Sequence, residues 1–170
     1  MLDAIKNRRS IRFFRKDPID ENILMDIIKA GFSAPSAHNN KGWHLVCVKN
    51  KDLLFQISSI HRWSKMVKDI PALLVVCYDG SDLEDFWIED SSAFMENMLI
   101  QATEYGIGNC WLGARGTEAG GFMLENKIRE ILSIPSEIKI LGMCALGYTA
   151  KEFNFTKEIN IEERLHFDRF

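Results

Sequence analysis

Apolar and polar residues alternate along the chain in blocks that predict helices interleaved with strands. A stripe at helical spacing, Ile23, Leu24, Ile27 and Ile28, follows Asp20, whose side chain is suited to capping a helix. The apolar run from Ala72 to Tyr78 is typical of a central strand covered on both faces. Further helices are predicted over 2–7, 52–61, 86–105 and 123–132, and further strands over 44–49, 109–112 and 138–146.

The segment from Phe86 to Tyr105 is the longest predicted helix, and apolar residues cover more than one of its faces. Such a helix is buried inside the domain or against a partner subunit. Asp90 and Asn97 lie two helical turns apart and share one face of it. A buried carboxylate must find partners, so we interpret Asp90 as a residue of the fold rather than a catalytic acid.

Helices that alternate with at least four strands predict an α+β or α/β fold in which helices cover a sheet. The first strand begins only near residue 44, and no Gly-x-Gly-x-x-Gly follows a strand, so the usual dinucleotide-binding fold fits poorly. A length of 170 residues favours one domain. The apolar runs are too short to cross a bilayer and no secretory signal is evident, so we expect a cytoplasmic protein.

The net charge of −3 conceals a basic N-terminal segment. Residues 1–16 carry six positive charges and one negative charge, whereas the remaining residues carry 15 positive and 23 negative charges. This distribution favours one local anion site, and leaves a nucleic-acid surface as a minor alternative. The cysteines and histidines are scattered without metal-ligand spacing, so we expect reduced thiols and no metal site.

Two polar segments carry candidate chemistry. Residues 8–12, Arg-Arg-Ser-Ile-Arg, offer three guanidinium groups and a hydroxyl that could hold a phosphate; the alternative is a solvated patch complementing a helix C-terminus. Residues 34–43 join a helix to a strand and contain Pro, Ser, Asn and Gly, as a structural turn would. The same loop offers amides, a hydroxyl, a lysine and a tryptophan suited to a flat heterocycle with a polar edge.

Four blocks, RRSIRFF, APSAHNNKGW, DSSAFMENMLIQATEYGIGNCWLG and IKILGMCALGY, occur in the order and at intervals similar to those of the nitroreductase family of flavoproteins. The resemblance spans essentially the whole chain. It implies an α+β, three-layer α-β-α fold with a mixed central sheet, in one domain over residues 1–170. It also implies a homodimer that binds FMN between its subunits, with a C-terminal arm, about residues 149–170, wrapped around the partner.

The same resemblance implies the cofactor-binding residues. The block that holds the phosphate, the ribityl chain and the pyrimidine edge of FMN corresponds to Arg8, Arg9, Ser10 and Arg12. The loop that lies along the ring from the partner subunit corresponds to Pro35, Ser36, Ala37, Asn39 and Lys41. The segment whose backbone faces flavin N5 corresponds to Trp111, Leu112 and Gly113, and a late basic residue that reaches the phosphate corresponds to Lys157. The chain departs from the family pattern at Lys41, Gly42 and Ile159.

The activity implied by the resemblance is a ping-pong reaction. NADH or NADPH reduces the flavin at N5, and an electron-poor small molecule such as a nitroaromatic or a quinone then takes the two electrons. The scheme requires no catalytic side chain, because the flavin carries the redox chemistry. The alternatives are a flavin-binding or sensing dimer without turnover, and a specialised chemistry of the family such as flavin fragmentation or dehalogenation.

Overall fold

The computed structural model describes residues 1–79, 86–119, 122–151 and 159–170. Its main sheet has the order β1 (Trp43–Val48), β2 (Ala72–Asp79), β6 (Ile138–Gly147) and β3 (Gly108–Gly113). A separate short hairpin pairs β4 (Glu118–Ala119) with β5 (Phe122–Met123). The strands β2 and β6 are therefore central, and β3 lies at one edge of the sheet.

The helices are α1 (Asp3–Asn7), α2 (Glu21–Phe32), α3 (Lys51–Ile60), α4 (Trp87–Glu104) and α5 (Leu124–Leu132). The elements predicted from periodicity are confirmed, and the predicted ends lie within one residue of the observed ones. Two 3-10 helices, Ala37–Asn39 and Arg62–Asp69, and the β4–β5 hairpin were not predicted. Ala37–Asn39 and the hairpin are too short to show a hydrophobic period, whereas Arg62–Asp69 has one in Trp63, Met66 and Val67 and was overlooked. In the described residues, no helix is long and apolar enough to span a membrane.

Local side-chain chemistry explains where α2 and α3 begin. The Asp20 carboxylate accepts hydrogen bonds from the backbone N–H groups of Asn22 (2.8 Å) and Ile23 (3.4 Å), which confirms the predicted cap. Asn50 caps α3 in the same way, with Oδ1 2.9 Å from the backbone nitrogen of Asp52. Each cap satisfies amides that the first helical turn leaves without partners.

The sheet is covered by helices on both faces, which confirms the three-layer architecture. Alternate residues of β2 enter different cores, so that Leu74 and Val76 pack with α2 and α4, whereas Leu73 and Val75 pack with α3 and α5. All four side chains are fully buried. The apolar run of β2 therefore reflects burial on both faces, as its sequence predicted.

The expected mixture of strand directions is not found among neighbouring strands of this sheet. In the described residues, β1–β2, β2–β6 and β6–β3 all pair antiparallel. The strands β2 and β3, which α4 connects, run parallel to each other, but β6 lies between them. Parallel pairing in the described residues is confined to an isolated bridge between Ser10 and Asn109.

Asp90, near the start of α4, joins three elements of the fold. Its side chain is 5% exposed. One carboxylate oxygen accepts from the backbone N–H of Ala37 (2.8 Å), and the other accepts from the Tyr78 hydroxyl on β2 (2.9 Å). The Tyr78 hydroxyl also accepts from the Asn40 amide (3.2 Å). Burial, followed by the hydrogen bond to Asp90, raises the pKa of Tyr78, so the phenol remains a donor at neutral pH. These contacts confirm Asp90 as a residue of the fold.

Replacing Asp90 with alanine is expected to lower the free energy of unfolding by about 3 kcal/mol, because two hydrogen bonds to a buried carboxylate are lost. The matched control is Glu89→Ala, which removes the adjacent exposed carboxylate of α4 and should change stability by about 0.5 kcal/mol at most. Both values are measured by urea unfolding at one protein concentration. Equal losses in the two variants would show that the Asp90 contacts contribute nothing.

Candidate functional site

The basic N-terminal segment lies against the outer edge of β3. The backbone N–H of Ile11 donates to the carbonyl oxygen of Asn109 at 2.8 Å, next to the Ser10–Asn109 bridge. Asn109 is buried, and its amide donates to Thr103 Oγ1 (3.0 Å) and to the Leu99 carbonyl oxygen (3.2 Å) of α4. The segment is thus fixed by the core, and Arg12 follows immediately after the pairing to β3.

A cavity of about 430 Å³ opens beside β3 at this position. Its volume lies within the range of small-molecule sites. It brings together four of the residues that the sequence singled out, namely Arg12, Trp111, Leu112 and Gly113. The remaining lining residues are Cys110, also on β3, and residues from four other parts of the chain: His61, Trp63, Ser64, Thr117, Glu118, Leu124 and Met143.

The edge of β3 presents backbone groups on the side away from β6. Asn109 uses its carbonyl oxygen on this outer side, where it accepts from Ile11. Because successive residues of a strand direct their backbone groups to opposite edges, those of Trp111 and Gly113 face outward as well. The Leu112 carbonyl faces β6, since a Cβ added at Gly142 would lie 2.7 Å from it. The strand edge that borders the cavity can therefore hydrogen-bond a planar polar ligand.

Gly113 leaves space at the wall of this cavity. A Cβ added there would find only Thr117 Oγ1 within 4 Å, at 3.8 Å, and Thr117 also lines the cavity. Neither a positive φ angle nor a close neighbour within the described residues requires glycine at this position. The absence of a side chain instead allows a ligand to approach the backbone closely.

Of the predicted phosphate-binding arginines, only Arg12 lines the cavity. The Arg12 side chain is exposed, and its guanidinium donates to the Ser10 carbonyl oxygen at 3.2 Å. Arg8 forms an ion pair with Glu96 of α4 (3.5 Å), and Arg9 donates to the Asn7 carbonyl oxygen at 2.7 Å. Arg8 and Arg9 thus follow the C-terminal end of α1 and precede Arg12 by four and three residues in the sequence.

Cys110 is a thiol that lines the cavity. Burial raises the pKa of Cys110, an effect that the positive charge of Arg12 partly offsets. The side chain lines the cavity as a neutral thiol at neutral pH, which makes it a poor nucleophile. The expectation that the reaction needs no catalytic side chain stays a prediction.

The predicted loop, Pro35 to Lys41, lies elsewhere in the chain, between α2 and β1. Asp90 holds the backbone of Ala37, and Ser36 Oγ accepts from the backbone N–H of Lys41 at 3.0 Å. Three non-glycine residues, His38, Asn39 and Lys41, have φ angles of 52°, 58° and 55°. Such backbone is costly and needs support from its surroundings. None of the loop residues lines the Arg12 cavity, so the contact predicted from a partner subunit stays a prediction.

The sequence analysis missed the residues that the 3-10 helix Arg62–Asp69 contributes to the cavity. His61 begins this helix, and its Nδ1 accepts from the backbone N–H of Trp63 at 3.3 Å. The available signal was the spacing of Trp63, Met66 and Val67, which is that of one helical face, together with three basic residues over 62–68. Lys157, the predicted late phosphate ligand, lies outside the described residues.

The sequence of the chain is similar to those of known proteins. The model of the nitroreductase family matches residues 5–62 and 59–148. A Methanothermobacter thermautotrophicus protein provisionally named NADH dehydrogenase/NAD(P)H nitroreductase is 32% identical over 175 residues, which cover 100% of this chain and 87% of the relative. The FMN reductase [NAD(P)H] of Bacillus subtilis is 27% identical, with 88% of this chain and 66% of the relative covered.

The fold agrees with these sequence matches. The structure of an FMN-dependent nitroreductase from Clostridium difficile R20291 superposes with a TM-score of 0.93 and 27% identity, and the match covers 100% of both chains. The family match extends over most of the chain, including the basic segment, the strand β3 and the 3-10 helix that line the cavity. The chain therefore belongs to the nitroreductase family.

Proposed function

We propose that the protein is an FMN-dependent oxidoreductase that passes two electrons from NADH or NADPH to an electron-poor acceptor such as a nitroaromatic or a quinone. The observation that carries this proposal is the cavity beside β3, where Arg12 meets the strand edge at Trp111 and Gly113. The names of similar proteins support it, because they include an FMN-dependent nitroreductase and an FMN reductase [NAD(P)H].

The donor set of the cavity fits FMN. A flavin ring needs hydrogen-bonding groups along its polar edge and room for close approach; the outer edge of β3 provides the groups, and Gly113 leaves room beside them. The exposed guanidinium of Arg12 supplies a positive charge at the same wall. The neutral Cys110 and the buried Met143 provide apolar surface beneath it.

We assign roles to the residues on this basis. Arg12 binds the pyrimidine side, where its positive charge favours the electron-rich form of the ring. Trp111 and Gly113 position the ring through their outward-facing backbone groups, and Leu112 lines the cavity between them. The phosphate and the ribityl chain are bound by Arg8, Arg9 and Ser10, with Lys157 as a further phosphate ligand. When bound, FMN would supply the redox chemistry, which is the transfer of two electrons from NAD(P)H to the acceptor.

The proposal includes a homodimer in which each FMN contacts both subunits. The loop residues Pro35, Ser36, Ala37, Asn39 and Lys41 then complete the partner's site. Exposed apolar side chains support association: Met1, Leu2 and Ile5 at the N-terminus, and Ile161, Leu165, Phe167 and Phe170 in the C-terminal arm. Phe167 is 81% exposed in the single chain, an arrangement that burial against a second subunit would stabilise.

The function is tested with purified protein by its absorbance spectrum and by steady-state oxidation of NADH and NADPH. We expect a yellow protein that releases FMN, not FAD, on heating and that oxidises a reduced nicotinamide when menadione or a nitrofuran is present. A protein that retains FMN without turnover would instead support the flavin-binding alternative. A colourless protein that ignores added FMN would contradict the proposal as a whole.

Replacing Arg12 with alanine is expected to weaken FMN binding about 10- to 100-fold, because a charge-assisted hydrogen bond contributes about 1.5–3 kcal/mol. Fluorescence titration of the apoprotein with FMN measures the effect. The control is Arg15→Ala, which removes a guanidinium three residues away that pairs with Asp17 and does not line the cavity. If both variants bind FMN as tightly as the wild type, the role assigned to Arg12 is wrong.

Gly113 of β3 and Gly142 of β6 are paired neighbours in the sheet, and substitutions at the two positions distinguish an effect on FMN binding from an effect on stability. Gly113→Ala is expected to weaken FMN binding about tenfold or more, through lost close approach, while the unfolding free energy of the apoprotein changes by less than about 1 kcal/mol. Gly142→Ala places a Cβ 2.7 Å from the Leu112 carbonyl oxygen and should lower stability itself. Unchanged FMN affinity in Gly113→Ala would remove Gly113 from the site.

A further inference from the structure

A second concave surface, which we call the basic groove, adjoins the cavity. It has a volume of about 520 Å³, and Arg12 and Trp63 line both the cavity and the groove. Its other basic residues come from three distant parts of the chain: Lys16, Arg62, Lys65, Lys68 and Lys151. Among the described residues that line it, Asp69 is the single acidic one.

The positive charges of the groove are largely uncompensated by the described part of the protein. Asp69 pairs with Lys16 at 3.5 Å. Arg62 lies over the Trp63 ring, and Lys151 lies over the Phe13 ring, 4.5 and 3.8 Å from the ring centres. Lys65 and Lys68 form no ion pair with any described acidic residue. Like charges at this density repel one another, and a bound anion relieves the repulsion.

The groove also exposes aromatic rings. Phe13 is 53% exposed and Trp63 is 59% exposed, although both are large apolar side chains. Each ring carries a basic side chain over one face. Exposed aromatic rings beside basic residues are suited to stacking a nucleotide base while the cations meet its phosphate. The groove therefore favours a ligand with both a base and a phosphate group.

We propose that the basic groove binds the adenosine 2′-phosphate part of NADPH and makes NADPH the preferred electron donor. This inference rests on the proposed function, in which NAD(P)H reduces an FMN bound in the adjoining cavity. The shared residues Arg12 and Trp63 make the two sites continuous. NADH lacks the 2′-phosphate, so it forgoes the contacts with Lys65 and Lys68.

FMN also carries a phosphate monoester, and the groove distinguishes the two sources by its aromatic rings. FMN has one ring system, which the cavity beside β3 accommodates. The exposed rings of Phe13 and Trp63 are suited to stacking a second base, and the adenine of NADPH is such a base. The proposed ligands of the FMN phosphate include Arg8 and Arg9, and neither residue lines the groove.

The test compares the holoenzyme with the double variant Lys65→Gln/Lys68→Gln, and with the control Lys29→Gln/Lys127→Gln. The control removes two lysines from exposed ion pairs on α2 and α5 and does not alter the groove. Steady-state kinetics give kcat/KM for NADPH and for NADH with menadione as acceptor. Calorimetry gives the affinity for adenosine 2′,5′-bisphosphate and for 5′-AMP, independently of turnover.

We expect the wild type to have a higher kcat/KM for NADPH than for NADH. In the groove variant, kcat/KM for NADPH should fall about tenfold, which corresponds to the loss of about 1.4 kcal/mol of ionic contacts with the 2′-phosphate. Its kcat/KM for NADH and its FMN content should match those of the control. Binding of adenosine 2′,5′-bisphosphate should weaken to the same extent, while binding of 5′-AMP changes little. Higher ionic strength should reduce the preference of the wild type for NADPH.

Three results would overturn the inference. The first is equal loss for NADPH and NADH in the groove variant, and the second is reduced FMN retention, which would assign the groove to the FMN phosphate. The third is equal affinity of the wild type for adenosine 2′,5′-bisphosphate and 5′-AMP. A holoprotein that oxidises neither nucleotide contradicts the proposed function instead, and calorimetry with the two adenosine phosphates still decides on the groove.

Discussion

The outer edge of β3 is the constraint on which the site depends. Both faces of the sheet are filled by apolar side chains from the helices, so a polar ligand can reach backbone hydrogen-bonding groups only at an edge. The N-terminal segment occupies this edge at Asn109 and then turns away, which places Arg12 beside the remaining part. The backbone hydrogen bond from Ile11 to Asn109 anchors this segment to the core on the N-terminal side of Arg12, and backbone hydrogen bonds of Phe13 and Arg15 with residues 148–150 anchor it on the other side. The buried Asn109 amide, which is anchored to α4, fixes the position of the first of these bonds.

The sequence predicted the helices and main strands because each is long enough to show its period. The cap at Asp20, the doubly buried run of β2 and the structural role of Asp90 are all local or chemically constrained features. The order of the strands follows from packing between distant segments, and for this reason the expected mixed sheet proved to have antiparallel neighbours. Arg12 and residues 111–113, which the nitroreductase motifs singled out, line one cavity, and their role in cofactor binding stays a prediction. The motifs did not indicate the 3-10 helix Arg62–Asp69, whose contribution depends on how it packs beside α3.

Charge is distributed in a way that the net value does not show. The basic segment near the N-terminus was evident from counting, but a second basic stretch from Arg62 to Lys68 lies about 50 residues later in a chain with a net charge of −3. Folding brings both stretches to one surface, with Arg12 and Trp63 where they meet. The concentration of cations there is offset only slightly by Asp69. Under the proposed function, this surface attracts the two phosphorylated molecules that the reaction requires.

The most direct test of the account is native mass spectrometry of the purified protein after incubation with excess FMN and removal of the unbound fraction. The central claim is that two chains of 19.5 kDa bind FMN together at shared sites. The account predicts a dimer that carries two FMN molecules and that loses them when it dissociates into single chains. A monomer that retains FMN would contradict the shared site, and a dimer that retains none would contradict the assignment of the β3 cavity.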